Sequence, residues 1–285
     1  HAWCVSAASP ESKSAMQAAG VGATGWDCHV HVFDSAAPVT PGHYRPAHQP
    51  LEVIETLAAE HGAGHLVLVQ PSVYGTDNGV MLRALQAAEG RHRGVAVVDV
   101  DVADAELDRL HAAGVRGVRF NRVSPAGHAG DPAADLRRLA PRLNERGWHV
   151  QWYVAADALA GLVPLQAETG LPFVLDHLAG LGADVPPDAP AWAAAAALAA
   201  GGGWIKLSGW YRLGARAPYA ALRPAILRAA DLFGAHVIWG SDWPHTSFAA
   251  DRLPPYTSTQ TPVQQVLGAQ RWQAVLEAHA PTLYR

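Results

Sequence analysis

The sequence predicts an α/β protein folded as one TIM (β/α)8 barrel over residues 24–285, and three observations predict it. From residue 25 onward, short β-branched runs alternate with longer Ala/Leu/Arg/Glu-rich segments, the pattern of βαβ units around a parallel sheet. Eight such units fall within roughly 250 residues, which is the count and length of this barrel. The first run ends in "HVFDSAAP", with neither GxGxxG nor a P-loop, so the competing open doubly wound sheet lacks its phosphate-binding turn.

The strands expected in order are "WDCHVHV" (26–32), "HLVLVQ" (65–70), "GVAVVDV" (94–100), "VRGVRFN" (115–121), "WHVQWYV" (148–154), "PFVLDH" (172–177), "GWIKLS" (203–208) and "HVIWGSD" (236–242). Helix-like segments separate them, including "PLEVIETLAAEHG", "NGVMLRALQAAEG", "ADAELDRLHAAG" and "AADLRRLAPRLNERG". Each of these four ends in glycine, a C-cap signature, and Asp104 and Asp131 stand where N-caps are expected. The Ala-rich stretch at 191–200 reads as a good helix former, and no function is assigned to it.

Composition narrows the function classes. With 49% hydrophobic and 16% charged residues the chain suits a soluble protein with a sizeable core. A net charge of −4 leaves no basic footprint for nucleic acid. The longest apolar tract, "AWAAAAALAA", is too short and alanine-rich to span a bilayer. Two cysteines, Cys4 and Cys28, make no disulfide framework, which points to a reducing, cytoplasmic compartment. Residues 1–23 are expected to be a poorly ordered lead-in, with a trimmed export signal as the alternative.

The functional reading starts from "GWDCHVHVFD". Residues two apart on a strand share a face, so His29 and His31 aim at one spot. With that face set inward, matching parity places Gln70, Ser72, Asp99, Arg119, Asn121, Gln151, Tyr153, His177, Lys206, Ser208 and Asp242 toward the C-terminal mouth, where barrels carry their active sites. Three imidazoles, carboxylates, a guanidinium and an amine would be costly to bury idle, at about 1–3 kcal/mol for each unpaired group. His29, His31, His177 and Asp242 are suitable ligands for one divalent metal such as zinc, and a carboxylate there can also take a proton from water.

"DCHVHVFD", "VLVQPSVYGTDN", "GVRGVRFN", "LDH", "KLSGWYR", "VIWGSDWPH" and "APTLYR" together resemble the amidohydrolase superfamily. The likeness is to the amidohydrolase-2 branch, which includes 2-pyrone-4,6-dicarboxylate lactonase and sugar-acid and sulfomuconolactone lactonases. It runs from residue 24 to 285 and implies a barrel that hydrolyses a carboxylated lactone. Asp242 resembles the base that activates water. His29, His31 and His177 resemble histidines that polarise the scissile carbonyl or hold a metal. Arg119 and Arg212, with Ser72, Tyr153 and Asn121, resemble the groups that grip substrate carboxylates. Two-metal relatives carry a bridging Lys or carboxylate on strand four and a His on strand five. Here those places read Arg119, Asn121, Gln151 and Tyr153, which argues against a binuclear centre. Relatives work with zinc or with no metal, and both readings stay open. Where relatives often read "DHMGR", this chain reads "DHLAG", losing a basic residue near the site.

Each residue also has a blander reading. Asp242 would cap a loop, and His177 would be a core histidine bonded to Asp176. Lys206 would pair with Asp99 inside the barrel. His245 lies past the strand as a loop residue, and Arg116 faces the helix layer. Trp152 and Trp239 read as packing, Trp210 and Tyr211 as pocket walls, and Tyr74 as a lid contact. Two other functions use the same residues: a mononuclear-metal decarboxylase of an aromatic or muconic acid, and a barrel that binds a small acid without turnover.

Overall fold

A computed structural model of the chain describes residues 22–41, 44–123 and 130–285. Residues 1–21, including Cys4 and most of the expected lead-in, lie outside them. Eight parallel strands run in chain order around one sheet, β1 to β8: Gly25–Val30, Ala63–Val69, Arg93–Ala96, Val115–Asn121, His149–Tyr153, Phe173–Leu175, Trp204–Leu207 and Val237–Trp239. Between and after them lie α1 (Leu51–Glu60), α2 (Gly79–Ala87), α3 (Asp104–Ala113), α4 (Pro132–Glu145), α5 (Leu159–Thr169), α6 (Pro190–Ala200), α7 (Arg223–Phe233) and α8 (Thr257–Gln273). This is the nearly closed TIM barrel of the sequence reading. Among the described residues no helix is long and apolar enough to cross a membrane.

The helices form for local reasons. In α4 the Asp131 carboxylate accepts from the N–H groups of Ala133 and Ala134, and Pro132 opens the first turn. Leu136, Leu139, Ala140 and Leu143 then bury one stripe against the barrel. Asp104 departs from expectation. Ala103 precedes α3 without a side-chain cap, and Asp104, one place inside, instead accepts from Arg142 at 2.9 Å. Gly114 closes α3 in the left-handed region, at φ 116°.

Two cores result. A large one lies between strands and helices and takes in Trp152 and Trp239. A smaller one fills the barrel with Trp26, Cys28, Val67, Val69, Val95, Val174 and Ile238, and Cys28 is a buried free thiol. Beneath it Tyr284 stacks on Trp26 and meets the His149 ring edge-on at 5.4 Å.

The barrel closes between β1 and β8 without a full ladder. Val30 bridges Trp243, His31 N–H donates to the Trp243 carbonyl, and Asp242 N–H donates to the His29 carbonyl, both at 2.9 Å. Asp27 reinforces the seam from the helix side. Its Oδ1 accepts from Ser241 N–H at 2.9 Å and its Oδ2 from the Tyr256 hydroxyl at 2.8 Å. Burial pushes the Asp27 carboxyl up to about 6 against the pull of those donors.

Replacing Asp27 by Ala should cost about 2–4 kcal/mol, because it leaves the Ser241 N–H and Tyr256 hydroxyl buried and unpaired. Asp27→Asn should cost less, and its deficit should grow below pH 6, where the wild-type carboxyl takes up a proton that the unfolded chain still refuses and so gains stability. Thermal melts of both variants at pH 5 and pH 8 check this. A smaller deficit for Asn at pH 5 than at pH 8 would count against it.

Candidate active site

A register irregularity between Asp27 and Val30 sets up the site. Asp27 faces α8, while His29, of the same parity, faces the interior against Lys206 and Asp176. β8 passes so close that a Cβ at Gly240 would stand 2.5 Å from the His29 Cβ, so only glycine fits there. Beyond β8 the chain turns at Asp242, with φ 62°, and beyond β6 at His177, with φ 50°. Both turns aim their side chains inward.

Three imidazoles converge on one carboxylate oxygen. The Nε2 atoms of His29, His31 and His177 lie 3.6, 3.7 and 3.9 Å from Asp242 Oδ1, too far for hydrogen bonds. The other oxygen, Oδ2, accepts from Arg212 Nε at 2.9 Å and from the Tyr211 hydroxyl. Oδ1 therefore faces the space between the rings.

The far ring nitrogens are held from behind. His31 Nδ1 lies 2.7 Å from the Val69 carbonyl, which only accepts, so Nδ1 carries the proton and Nε2 a lone pair in the neutral ring. His177 Nδ1 meets Ser208 Oγ at 2.8 Å. His29 Nδ1 is 3.2 Å from Lys206 Nζ and 3.6 Å from Asp176 Oδ1. An ammonium only donates, so that contact leaves the His29 proton on Nε2.

Beneath the rings lies a buried charge network. Asp176 Oδ2 accepts from Arg119 Nε at 3.0 Å and Gln151 Nε2 at 3.1 Å. Lys206 Nζ donates to Gln151 Oε1 at 2.7 Å and stands 3.6 Å from Asp176 Oδ1. Burial pushes the carboxyls of Asp176 and Asp242 up, but nearby cations overcome it and hold both well below the usual range: Lys206 and Arg119 for Asp176, Arg212 for Asp242. Burial also holds His29 far below its ordinary value and His177 down at about 4. At neutral pH the centre holds two carboxylates, and the rings of His29 and His177 are neutral, so their contacts with Asp242 are not ion pairs.

Above the rings opens a pocket of about 300 Å3. His31, Ser72, Arg119, Asn121, Tyr153 and Asp242 line it, as the parity argument placed them, and so does Arg212, which the family resemblance implied. Tyr44 and Thr246, which the sequence did not single out, line it too. The Arg119 guanidinium sits 5.4 Å over the Tyr153 ring and that of Arg212 4.9 Å over Tyr211, so aromatic faces steady both.

Other expectations fail here. Gln70 is buried away from the mouth, donating to the Gly75 and Asp77 carbonyls and tying down the loop after β2. Asp99 is exposed, because β3 ends at Ala96 and the chain has left the barrel. It lines a separate cavity, so Lys206 pairs with Gln151 and Asp176 instead. Trp210 turns away and donates to the Thr259 carbonyl, whereas Tyr211 does reach Asp242. Tyr74 is buried, its hydroxyl tied to the Asp34 backbone. Two expectations hold: His245 lies past β8 in a loop, buried against Tyr211 and outside the pocket lining, and Arg116 faces the helix layer, donating to the His111 carbonyl of α3 as well as to that of Val115. Asp176 was missed as an interior group. Strand parity from Val174 would have found it.

The donor set fits a divalent ion. His29, His31 and Asp242 form one trio of converging ligand atoms and His29, Asp176 and His177 another, and buried His29 Nε2 has no hydrogen-bond partner among the described residues. His29 would then have to carry its proton on Nδ1, toward Asp176.

The family model described as Amidohydrolase matches residues 26–270. A 2-pyrone-4,6-dicarboxylate hydrolase of Comamonas testosteroni is 32% identical over 242 residues, covering 80% of this chain and 79% of its own. A 4-sulfomuconolactone hydrolase of Rhizobium radiobacter is 30% identical over 252 residues, covering 86% and 84%. The crystal structure of a putative 2-pyrone-4,6-dicarboxylic acid hydrolase from Pseudomonas putida superposes with a TM-score of 0.81 at 33% identity, over 92% of this chain and 97% of that one.

The buried histidines set the acid response of the fold. Burial holds His149 at about 3 and His177 and His245 at about 4, against 6.5 when unfolded. As pH falls below 6.5 the unfolded chain takes up protons that the folded chain refuses, so stability drops from pH 7 to pH 4. Asp27 acts oppositely as pH falls through 6, as one group against three. Each pKa unit is worth about 1.4 kcal/mol, so urea midpoints should fall steeply between pH 7 and pH 5, and less steeply in His149→Gln. Equal midpoints at the two pH values would refute this.

Proposed function

The chain belongs to the amidohydrolase family, and from that premise we propose that it hydrolyses a carboxylated lactone, with Asp242 activating the water. One observation carries the reading: three imidazoles converge on an ionised, buried carboxylate at the floor of a pocket walled by Arg119 and Arg212.

The substrate carboxylate meets the arginines, whose planar guanidinium groups fix orientation as well as charge. A water between Asp242 Oδ1 and the ring carbonyl attacks the carbonyl carbon and gives its proton to Oδ1. Arg212 and Tyr211, bound to Oδ2, hold the carboxylate in line for it. Negative charge grows on the carbonyl oxygen, where the Nε2–H of His29, set by Lys206, can donate. The ring C–O bond breaks, and the leaving oxygen takes the proton from Asp242 to give the ring-opened acid. When bound, a divalent ion held by His29, His31, His177 and Asp242 would supply Lewis-acid polarisation of the same carbonyl.

Ring opening of 2-pyrone-4,6-dicarboxylate, followed by ultraviolet absorbance with chelated and with zinc-supplied protein, tests this. Turnover after chelation makes the histidines direct donors, and turnover only with zinc makes them ligands. Release of CO2 in place of ring opening would overturn the lactonase reading in favour of a decarboxylase. Asp242→Asn should lower kcat by about 10²–10⁴-fold while leaving ligand affinity within a few-fold. A comparable loss of affinity would move Asp242 from proton acceptor to binding group. Arg119→Met should act on both counts, raising KM and leaving Asp176 with Lys206 as its remaining cation, so its melting temperature should fall as well.

A further inference from the structure

A second cavity, of about 440 Å3, adjoins the pocket. Val123, Tyr153 and Arg212 wall both, and His177 lines the second as well, so the two are compartments of one space meeting at the imidazoles. Nothing in the chemistry described above uses the second compartment. The first, at about 300 Å3, takes a small ring and its carboxylate at the lower end of the usual ligand range.

The lining of the second compartment differs in kind. Among the described residues, and apart from the shared Arg212, whose Nε is committed to Asp242, its charged groups are Asp157 and Asp184. Its apolar walls include Val185 and Leu213. Its floor is backbone at Gly180, where a Cβ would stand 2.8 Å from Ala156 N, so no side chain can rise there to meet a ligand. A second acidic group on the substrate would face two carboxylates and no cation of its own. An uncharged arm would lie on the apolar walls and direct hydroxyl or amide hydrogens at Asp157 and Asp184.

Resting on the lactone reading, we propose that the substrate is a lactone with one carboxylate, held by the arginines, and an uncharged hydrogen-bond-donating arm that occupies this second compartment. The site thereby selects against a second acid at that end of the ring.

Three lactones of one ring test it: the bare monocarboxylate, the same ring with a hydroxyalkyl arm, and the same ring with a second carboxylate in place of the arm. The armed lactone should exceed the bare one in kcat/KM by about tenfold or more. The dicarboxylate should fall about tenfold below it. Val185→Trp, which fills the compartment, should erase the arm's advantage and leave the bare lactone unchanged. Asp157→Lys with Asp184→Lys should lift the penalty on the dicarboxylate, and this pair decides the matter if the Trp variant does not fold. Equal kcat/KM for bare and armed lactones, or an advantage that survives Val185→Trp, overturns the inference while leaving lactone hydrolysis intact. Absence of turnover on all three rings overturns the lactone reading instead. Calorimetric binding of the ring-opened acids then decides the compartment separately: the arm must tighten binding about tenfold, and equal affinities overturn the inference.

Discussion

Every distance in the pocket depends on the seam between the first and last strands. The backbone bonds from Asp242 to the His29 carbonyl and from His31 to the Trp243 carbonyl fix the carboxylate relative to the two imidazoles. Because those atoms are main chain, the points from which the three side chains start are fixed independently of any rotamer. Asp27 holds the seam from outside and Gly240 lets the strands approach, so the residues that define the site's geometry are largely not those that line it.

The seam would be of little use if the charges above it were unpaired. Asp176 and Asp242 are buried, and carboxylates without partners there would protonate. Lys206 and Arg119 around the first, and Arg212 around the second, keep both ionised. Breaking a buried pair of this kind costs about 3–5 kcal/mol, whereas the exposed pairs of α4, such as Arg137 with Glu168, contribute about 0–1 kcal/mol. The Gln151 amide bridges Lys206 and Asp176 and makes the floor one connected network.

How much of this was legible in the sequence varies residue by residue. Alternation and count gave eight strands in order, and Asp131 marked the start of α4. The two-residue spacing of His29 and His31 and the clustering of charge at strand ends pointed to one mouth. Parity served wherever a strand ran straight, as at Arg119, Asn121, Gln151, Tyr153 and Lys206. It failed where the backbone stops being a strand. The irregularity in β1 sends Asp27 and His29 to opposite sides despite equal parity. β6 is only three residues long, so Asp176 keeps the inward face and His177 joins it through a turn. β3 ends before Asp99 can reach the interior. Tyr44 and Thr246 come from loops, where no periodicity announces which way a side chain will point.

The charge network has one further consequence. Arg119, Lys206 and Arg212 face Asp176 and Asp242, so these five side chains carry one excess positive charge inside a chain whose total is −4. On the proposed lactone reading, a substrate with a single carboxylate would bring this set to electroneutrality. Its hydrolysis would create a second carboxylate, leaving one negative charge unmatched in a low-dielectric space. Ring opening would then convert a counterion into an over-charged guest, and the cations that admit such a substrate would no longer suffice to retain its product.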